Sequence, residues 1–226
     1  SQNRERSARY DMTTEETISN SVCRLLARNG FEHTSYREIA QDSGFDRAHV
    51  QYYFPNKKLF ASCFYRRMLE LSVEYLATKQ VLLDEESPIV FSHKVGQIDY
   101  AFLQMNKEML RLTGEMLEYR SIGAMLIEIE YEWTSLHSFY PIERKPDETG
   151  FIDFVFWNGG VFECLYKAAV AGEPISPALI SGSLIKHSAQ AAAIDEHLID
   201  EQLKQATLSK KMLDEGSKYI WTKMVG

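Results

Sequence analysis

One stretch constrains the whole chain. From Thr34 to Lys57 it reads TSYREIAQDSGFDRAHVQYYFPNK, two short helical segments separated by a single glycine. Ser35 and Glu38 stand in the S-x-x-E spacing of a capping box, in which the hydroxyl accepts from the third helical N–H and the carboxylate reaches back to the cap's own amide. Ile39 and Ala40 supply the buried ridge of that first helix. Gly44 falls where a left-handed residue closes it, a conformation glycine adopts without a side-chain clash. Asp46 is a cap for the second segment, Phe45 and Val50 flank it at the spacing of a hydrophobic staple, and Phe54 continues the inner face. A helix this short is not stable alone, so it must lie against neighbours with Arg47, Ala48, His49, Gln51 and Tyr52 turned partly outward. The pattern is a helix-turn-helix whose second helix has the proportions to enter a DNA groove.

Many fixed spacings surround this motif. An apolar first helix from Ile18 to Ala27 is followed by Gly30-Phe31, Thr34-Ser35, Ile39-Ala40, Gly44, Tyr52-Tyr53-Phe54 and Lys57. In these residues the region from about Thr17 to Phe60 resembles the DNA-binding domain of TetR-family transcriptional regulators. The resemblance implies an all-α chain: an N-terminal three-helix helix-turn-helix domain over residues 1–56, then a larger helical ligand-binding and dimerisation domain over residues 57–226. It also implies a homodimer, a double-stranded DNA operator and a small-molecule effector, with no cofactor. Arg47, His49 and Gln51 are this chain's own choices on the recognition helix, where members differ because they read different operators.

Arg37 and Arg47 are expected to read bases, since Arg pairs bidentately with guanine in the major groove, with His49 and Gln51 assisting. Ser35, Tyr52, Tyr53 and Lys57 are expected to hold phosphates, and Tyr36 and Ala48 complete the DNA-binding set. Lys57 and Lys58 follow Asn56, a good cap, and cations at a helix start oppose the helix dipole. The placement makes sense if a phosphate occupies that helix end, although two lysines on an exposed turn would look the same. The net charge of -7 argues against a nucleic-acid partner until it is divided. Residues 1–67 hold 11 Lys and Arg against 8 Asp and Glu, a balance of +3, leaving 14 against 24, or -10, for the rest.

The first dozen residues carry Arg4, Arg6 and Arg9 with little apolar content and read as a loose arm, either a solvated tail or one that reaches the DNA backbone. Thr13 and Glu16 would then form a second capping box at the start of the first helix, whose core face is Ile18, Val22, Leu25 and Leu26 and whose end is Gly30. Cys23, Cys63 and Cys164 offer neither a disulfide framework nor a metal spacing and read as small buried hydrophobes of a reducing cytoplasm. No signal peptide or run of about 18 apolar residues is present, so a cytoplasmic protein without membrane contact is expected.

Downstream, Phe60, Phe64, Met68, Leu71 and Tyr75 predict a long connecting helix to about Lys79, and a break runs from Asp84 to Pro88. Between Ile127 and Trp133 apolar residues alternate with glutamates at a strand's period, yet the stripe Ile122, Leu126, Ile129, Trp133, Leu136, Tyr140 is longer and predicts helix. The segment from Phe151 to Ala171 is apolar nearly all round and must be covered, and its Gly159-Gly160 pair is either a kink or a close helix approach. Helical patterns continue from Pro177 to about Ala193 and on to Trp221, and the resemblance implies that late helices pair across a dimer as a four-helix bundle.

Four methionines, Met105, Met109, Met116 and Met125, fall within 21 residues of a domain rich in aromatics. Such residues are either core or the lining of an adaptable apolar pocket. The ligand-binding candidates are Met105, Met109, Met116, Tyr119, Trp133 and Trp157. Glu115, Glu118, Glu128 and Asp153 interleave with them, which fits a lipophilic cation or simply solvated helix faces. The six histidines are scattered, with no HExxH, GxSxG or phosphate-loop motif, so no enzyme and no metal site are expected. Together the features describe a TetR-like repressor released from a near-palindromic operator by a small, mostly apolar ligand. The alternative is a ligand-independent TetR-like DNA-binding protein with an architectural or protein-partnered role.

Overall fold

The computed structural model describes residues 2–82, 87–136, 149–191 and 194–226, and these form eleven helices and no strand. The first four are α1 (Gln2–Asn29), α2 (Tyr36–Ser43), α3 (Arg47–Tyr53) and α4 (Lys58–Thr78). Then come α5 (Pro88–Phe102), α6 (Lys107–Glu118), α7 (Arg120–Leu136), α8 (Thr149–Ala171), α9 (Pro177–Ala191), α10 (Glu196–Ala206) and α11 (Lys210–Val225). Polar caps start several of them. Ser87 accepts from the Val90 amide ahead of Pro88, Asn106 from Met109, Asp195 from Leu198 and Ser209 from Met212. Each supplies an acceptor for an amide that the first helical turn leaves unpaired.

The spine is α4. Its stripe of Phe60, Phe64, Met68, Leu71 and Tyr75 is fully buried, and the helix packs on α1, α5, α7 and α11, so a single apolar core continues from the N-terminal helices into the rest of the chain. A satellite cluster of Ile89, Ile185, Ala189 and Ile199 joins α5, α9 and α10. Where α11 crosses α4 and α5 the backbone comes close. A Cβ on Gly216 would lie 2.8 Å from Ile98 Cδ1 and 3.0 Å from Tyr75 Cε1.

Helix wins over the strand-like alternation of residues 127–133: the glutamates follow one another along α7, and Ile122, Leu126 and Ile129 form its buried face. Two expectations are corrected. The first dozen residues are not a loose arm; α1 begins at Gln2 and passes through Thr13 without a cap, because QNRERSARYDM contains neither Gly nor Pro and is rich in straight-chain helix formers. Asn56 does not cap α4 either; the N-cap position belongs to Lys57, with no side-chain cap bond. The side chains of Arg4, Arg6 and Arg9 lie outside the described residues, as do Asp84, His137, Phe139, Tyr140, Pro141, Pro146 and Ala193.

Candidate nucleic-acid interface

The turn between α2 and α3 is built as its residues require. Ser35 Oγ accepts from the Glu38 amide at 3.3 Å while Glu38 Oε2 accepts from the Ser35 amide at 2.9 Å, closing the capping box. Gly44 sits at φ 76°, and its amide donates to the Ala40 carbonyl at 3.1 Å. Asp46 Oδ1 accepts from the His49 amide at 2.9 Å, and the imidazole Nδ1 lies 3.0 Å from the same oxygen. That backbone N–H, with the ring beside it, holds the Asp46 carboxyl below the usual carboxylate range. Arg24 clamps α1 to α2 through Asp42 at 2.5 Å.

The recognition helix α3 has seven residues and one buried side chain, Val50. Everything else about its seat comes from its flanks: Phe45 and Tyr53 pack against the core, and Phe54 packs edge-on against Phe60 at 5.5 Å. Arg47, Ala48, His49, Gln51 and Tyr52 are all exposed on the outer face, Tyr52 by 79%. Arg37 is exposed on α2. The sequence-predicted set is thereby brought together, but three members carry internal duties as well. Tyr36 is half-buried and donates its hydroxyl to the Phe54 carbonyl at 2.9 Å, pinning the end of α3. Ser35 Oγ also donates to Glu38 Oε2 at 2.8 Å. Lys57 Nζ donates to the Glu32 carbonyl at 3.0 Å and stands 4.8 Å above the Phe31 ring, tying the start of α4 to the α1–α2 turn. An ammonium has three donors, so two of the lysine's remain for a phosphate.

Residues 22–61 match the family model of bacterial regulatory proteins, tetR family. The chain carries a TetR-family DNA-binding domain, and it is a DNA-binding regulator of that kind. No curated protein matches the chain. The matched segment takes in the last eight residues of α1, all of α2 and α3, and the start of α4, so it contains each of the capping and seating contacts just described.

This TetR-type unit is latched to α6. Glu115 Oε2 accepts from the Glu32 amide at 3.1 Å, and Arg111 donates to the Arg28 carbonyl at 3.2 Å. At the α6–α7 corner the Tyr119 hydroxyl donates to Glu32 Oε1 at 2.6 Å, with its ring 5.7 Å from Phe31. Gly30, at φ 83°, leaves room for the Glu115 carboxylate, which a Cβ there would meet at 2.5 Å.

The six ligand-binding candidates are not brought together. Met109 and Met116 are core, Met105 packs beside it, and Met116 borders a void of about 10 Å³ with Tyr65 and Phe162. Tyr119 belongs to the latch. Trp157 stacks on His187 at 4.2 Å with the rings nearly parallel. Trp133 lines a cavity of about 60 Å³, alongside Asp99, Tyr100, Glu130, Phe154 and Asn158. Sequence reasoning missed Asp99, Glu130 and Asn158. The signal available for Glu130 was its position four residues after Leu126 and three before Trp133, a carboxylate next to the apolar stripe of a helix.

Burial pushes the Glu130 carboxyl up to about 7, against a hydrogen bond from the Tyr65 hydroxyl. It pushes Asp99 well above the usual range too, opposed by the Ser72 hydroxyl and reinforced by the nearby Glu130 charge. A larger concavity lies elsewhere, an open groove of about 680 Å³ walled by α1, α4 and the end of α11. Its rim of Glu15, Arg24, Arg66, Glu70 and Lys223 is a surface of mixed charge, unlike a ligand cage.

Proposed function

We propose that this regulator is a homodimeric, non-enzymatic repressor working in the cytoplasm, with residues 1–56 gripping DNA and residues 57–226 pairing the subunits and sensing a small molecule. One observation carries it: α3 is capped and pinned at both ends, seated by its one buried residue, Val50, with Tyr53 packed beside it, and turns Arg47, Ala48, His49, Gln51 and Tyr52 to solvent. Such a helix is preorganised for a major groove, and Arg37 stands beside it. Dimerisation is supported by an uncovered apolar stripe, Ile152, Phe156 and Val170 on α8, each at least 60% exposed, with Leu179 on α9 at 63%. Large apolar side chains exposed on two helices that pack together are a surface that water disfavours and a second copy would cover. No described helix is long and apolar enough to cross a membrane.

The test is selection of bound sequences from random duplex DNA, followed by analytical ultracentrifugation with the winner. The expected site is near-palindromic, its half-sites one turn (about 34 to 36 Å) or a multiple apart, bound by a dimer. A chain that stays monomeric at micromolar concentration with and without DNA refutes the proposal. The small size of the 60 Å³ cavity favours a second reading, a TetR-like protein that binds DNA without any effector and serves an architectural or protein-partnered role. Screening small molecules for loss of operator binding separates the two.

A further inference from the structure

We infer that the cavity between α5, α7, α8 and α9 is built for the ammonium head of a small organic cation. This rests on the effector reading above and names the ligand class. Asp99, Glu130 and Asn158 bring three acceptor groups to one cavity, and the rings of Tyr100, Trp133 and Phe154 share its wall. Among the described lining residues there is no Lys, Arg or His to balance two carboxyl groups. Asp99 is 4% exposed and takes one bond, from Ser72 to its Oδ1. Asn158 is 5% exposed and donates its amide to the Phe154 carbonyl at 3.0 Å. That bond to a carbonyl fixes which end is nitrogen, and no donor among the described residues reaches the amide oxygen.

A buried acceptor without a donor costs free energy, and so does a pair of neighbouring carboxyls, one buried and one half-buried, without a cation. An alkylammonium removes both deficits. Its three N–H groups match the three acceptors, and its charge replaces the proton that two neighbouring carboxyls must otherwise retain. Aromatic faces favour the same charge through their quadrupoles, and they cover the adjoining methylenes. A carboxylate ligand would face two like charges, and a neutral alcohol would leave them unbalanced. Volume limits the guest. At about 10 to 15 Å³ per water-sized site, 60 Å³ holds roughly four to six non-hydrogen atoms, the size of a butylammonium.

The probes are n-butylammonium, n-butanol and butyrate, equal in length and different in charge. Thermal shift and calorimetric titration of the full chain at neutral pH are expected to give butylammonium at least tenfold tighter binding than butanol and no binding of butyrate. Glu130→Gln and Asp99→Asn are expected to erase most of that preference while leaving butanol unaffected. Because the decisive comparison is made on the unaltered protein, a variant that fails to fold does not blunt it. Equal or tighter binding of butanol or butyrate overturns the inference, as does the failure of all three to bind. A different molecule that binds and releases operator would leave the effector reading standing in either case. If no molecule from a broad collection affects operator binding, the effector reading itself fails.

Discussion

Val50 joins the fold to the function, so its truncation tests both. It is the single buried residue of α3, with no exposure. Val50→Ala removes two methyl groups worth about 0.8 kcal/mol each in transfer free energy. The space they leave adds a further cost, because a helix held by caps at Asp46 and Phe54 cannot collapse freely into it, and the sum is about 2 to 3 kcal/mol. At roughly 2 to 4 °C per kcal/mol for a chain of this size, the melting temperature should drop by about 4 to 12 °C. Operator affinity should fall too, since α3 loses its one fully buried contact with the core. Arg47→Ala is the contrast. Arg47 is exposed and no bond to it appears among the described residues, so its loss should leave melting within about 0.5 kcal/mol of the parent. It should instead cost about 1 to 3 kcal/mol of operator binding and relax preference at one position per half-site. Thermal melts and operator titrations on both variants decide the matter. If Val50→Ala melts like the parent and binds as well, or if Arg47→Ala melts as low as Val50→Ala, the division of this helix into a seat and a reading face is wrong.

Lys57→Ala should weaken operator and random DNA alike, lowering the salt slope by about 1, and should also lower the melting temperature because the tie to the Glu32 carbonyl is lost; a purely phosphate-holding lysine would leave melting unchanged. Gly216→Ala should destabilise: the added methyl meets a Tyr75 ring whose hydroxyl is held by the Met212 carbonyl at 3.1 Å, and overpacking of about 1 to 3 kcal/mol exceeds the roughly 1 kcal/mol that alanine adds in a helix, so a raised melting temperature would refute the close crossing. For Glu130, with a folded value near 7 above its ordinary 4.5, the folded state binds the extra proton between those values, so stability falls as pH rises through that window. Melting of the parent should therefore decline relative to Glu130→Gln from pH 4.5 to 7.5, with Asp99 shifted in the same direction, and parallel curves would show the carboxyl is not buried. Tyr119→Phe removes the hydroxyl that meets Glu32 and should shrink the ratio of operator affinities with and without an effector; an unchanged ratio would place the coupling elsewhere.

The DNA-binding half was legible in the sequence because its structure is decided locally. The Ser35 to Glu38 box, the left-handed Gly44 and the Asp46 cap each depend on atoms no more than four residues apart, and all three appear as read. Long stripes were legible for a related reason: Phe60 to Tyr75 and Ile122 to Ile129 repeat at the helical period often enough to outvote a short strand-like alternation. Negative signals failed where they rested on charge alone. The arginines of the first dozen residues suit a solvated arm, but a charged segment with no helix breaker extends a helix as readily, and α1 absorbs it.

The cavity was illegible because it is assembled from residues far apart in the chain. Asp99 meets Ser72 across 27 positions and Glu130 meets Tyr65 across 65, and neither spacing carries a pattern that a sequence can display. Methionine density pointed instead to Met109 and Met116, which a well-packed core uses as filler. The same nonlocality governs the latch. Tyr119 reads as a pocket residue and Glu115 as an acid beside that pocket or on a solvated face, yet with Arg111 they hold Arg28 and Glu32 across intervals of 83 to 87 residues. The later helices therefore meet the N-terminal ones through α4, α6 and α11, the last packing on α1 and accepting from Arg28 at the Val225 carbonyl. The α4 core is rigid and apolar, whereas the α6 contact is a set of polar bonds around one glycine turn with exposed partners. Polar bonds at a surface exchange with water at little net cost, so the α6 contact can open while the α4 core stays packed. A ligand held between α5, α7, α8 and α9 touches α7 directly, and α7 follows α6 at the Tyr119 corner. On the proposed effector function, the Tyr119 bond to Glu32 and the Lys57 tie to the Glu32 carbonyl form the contact chain by which a displacement of that corner would reach the start of α4, and Tyr119→Phe tests it.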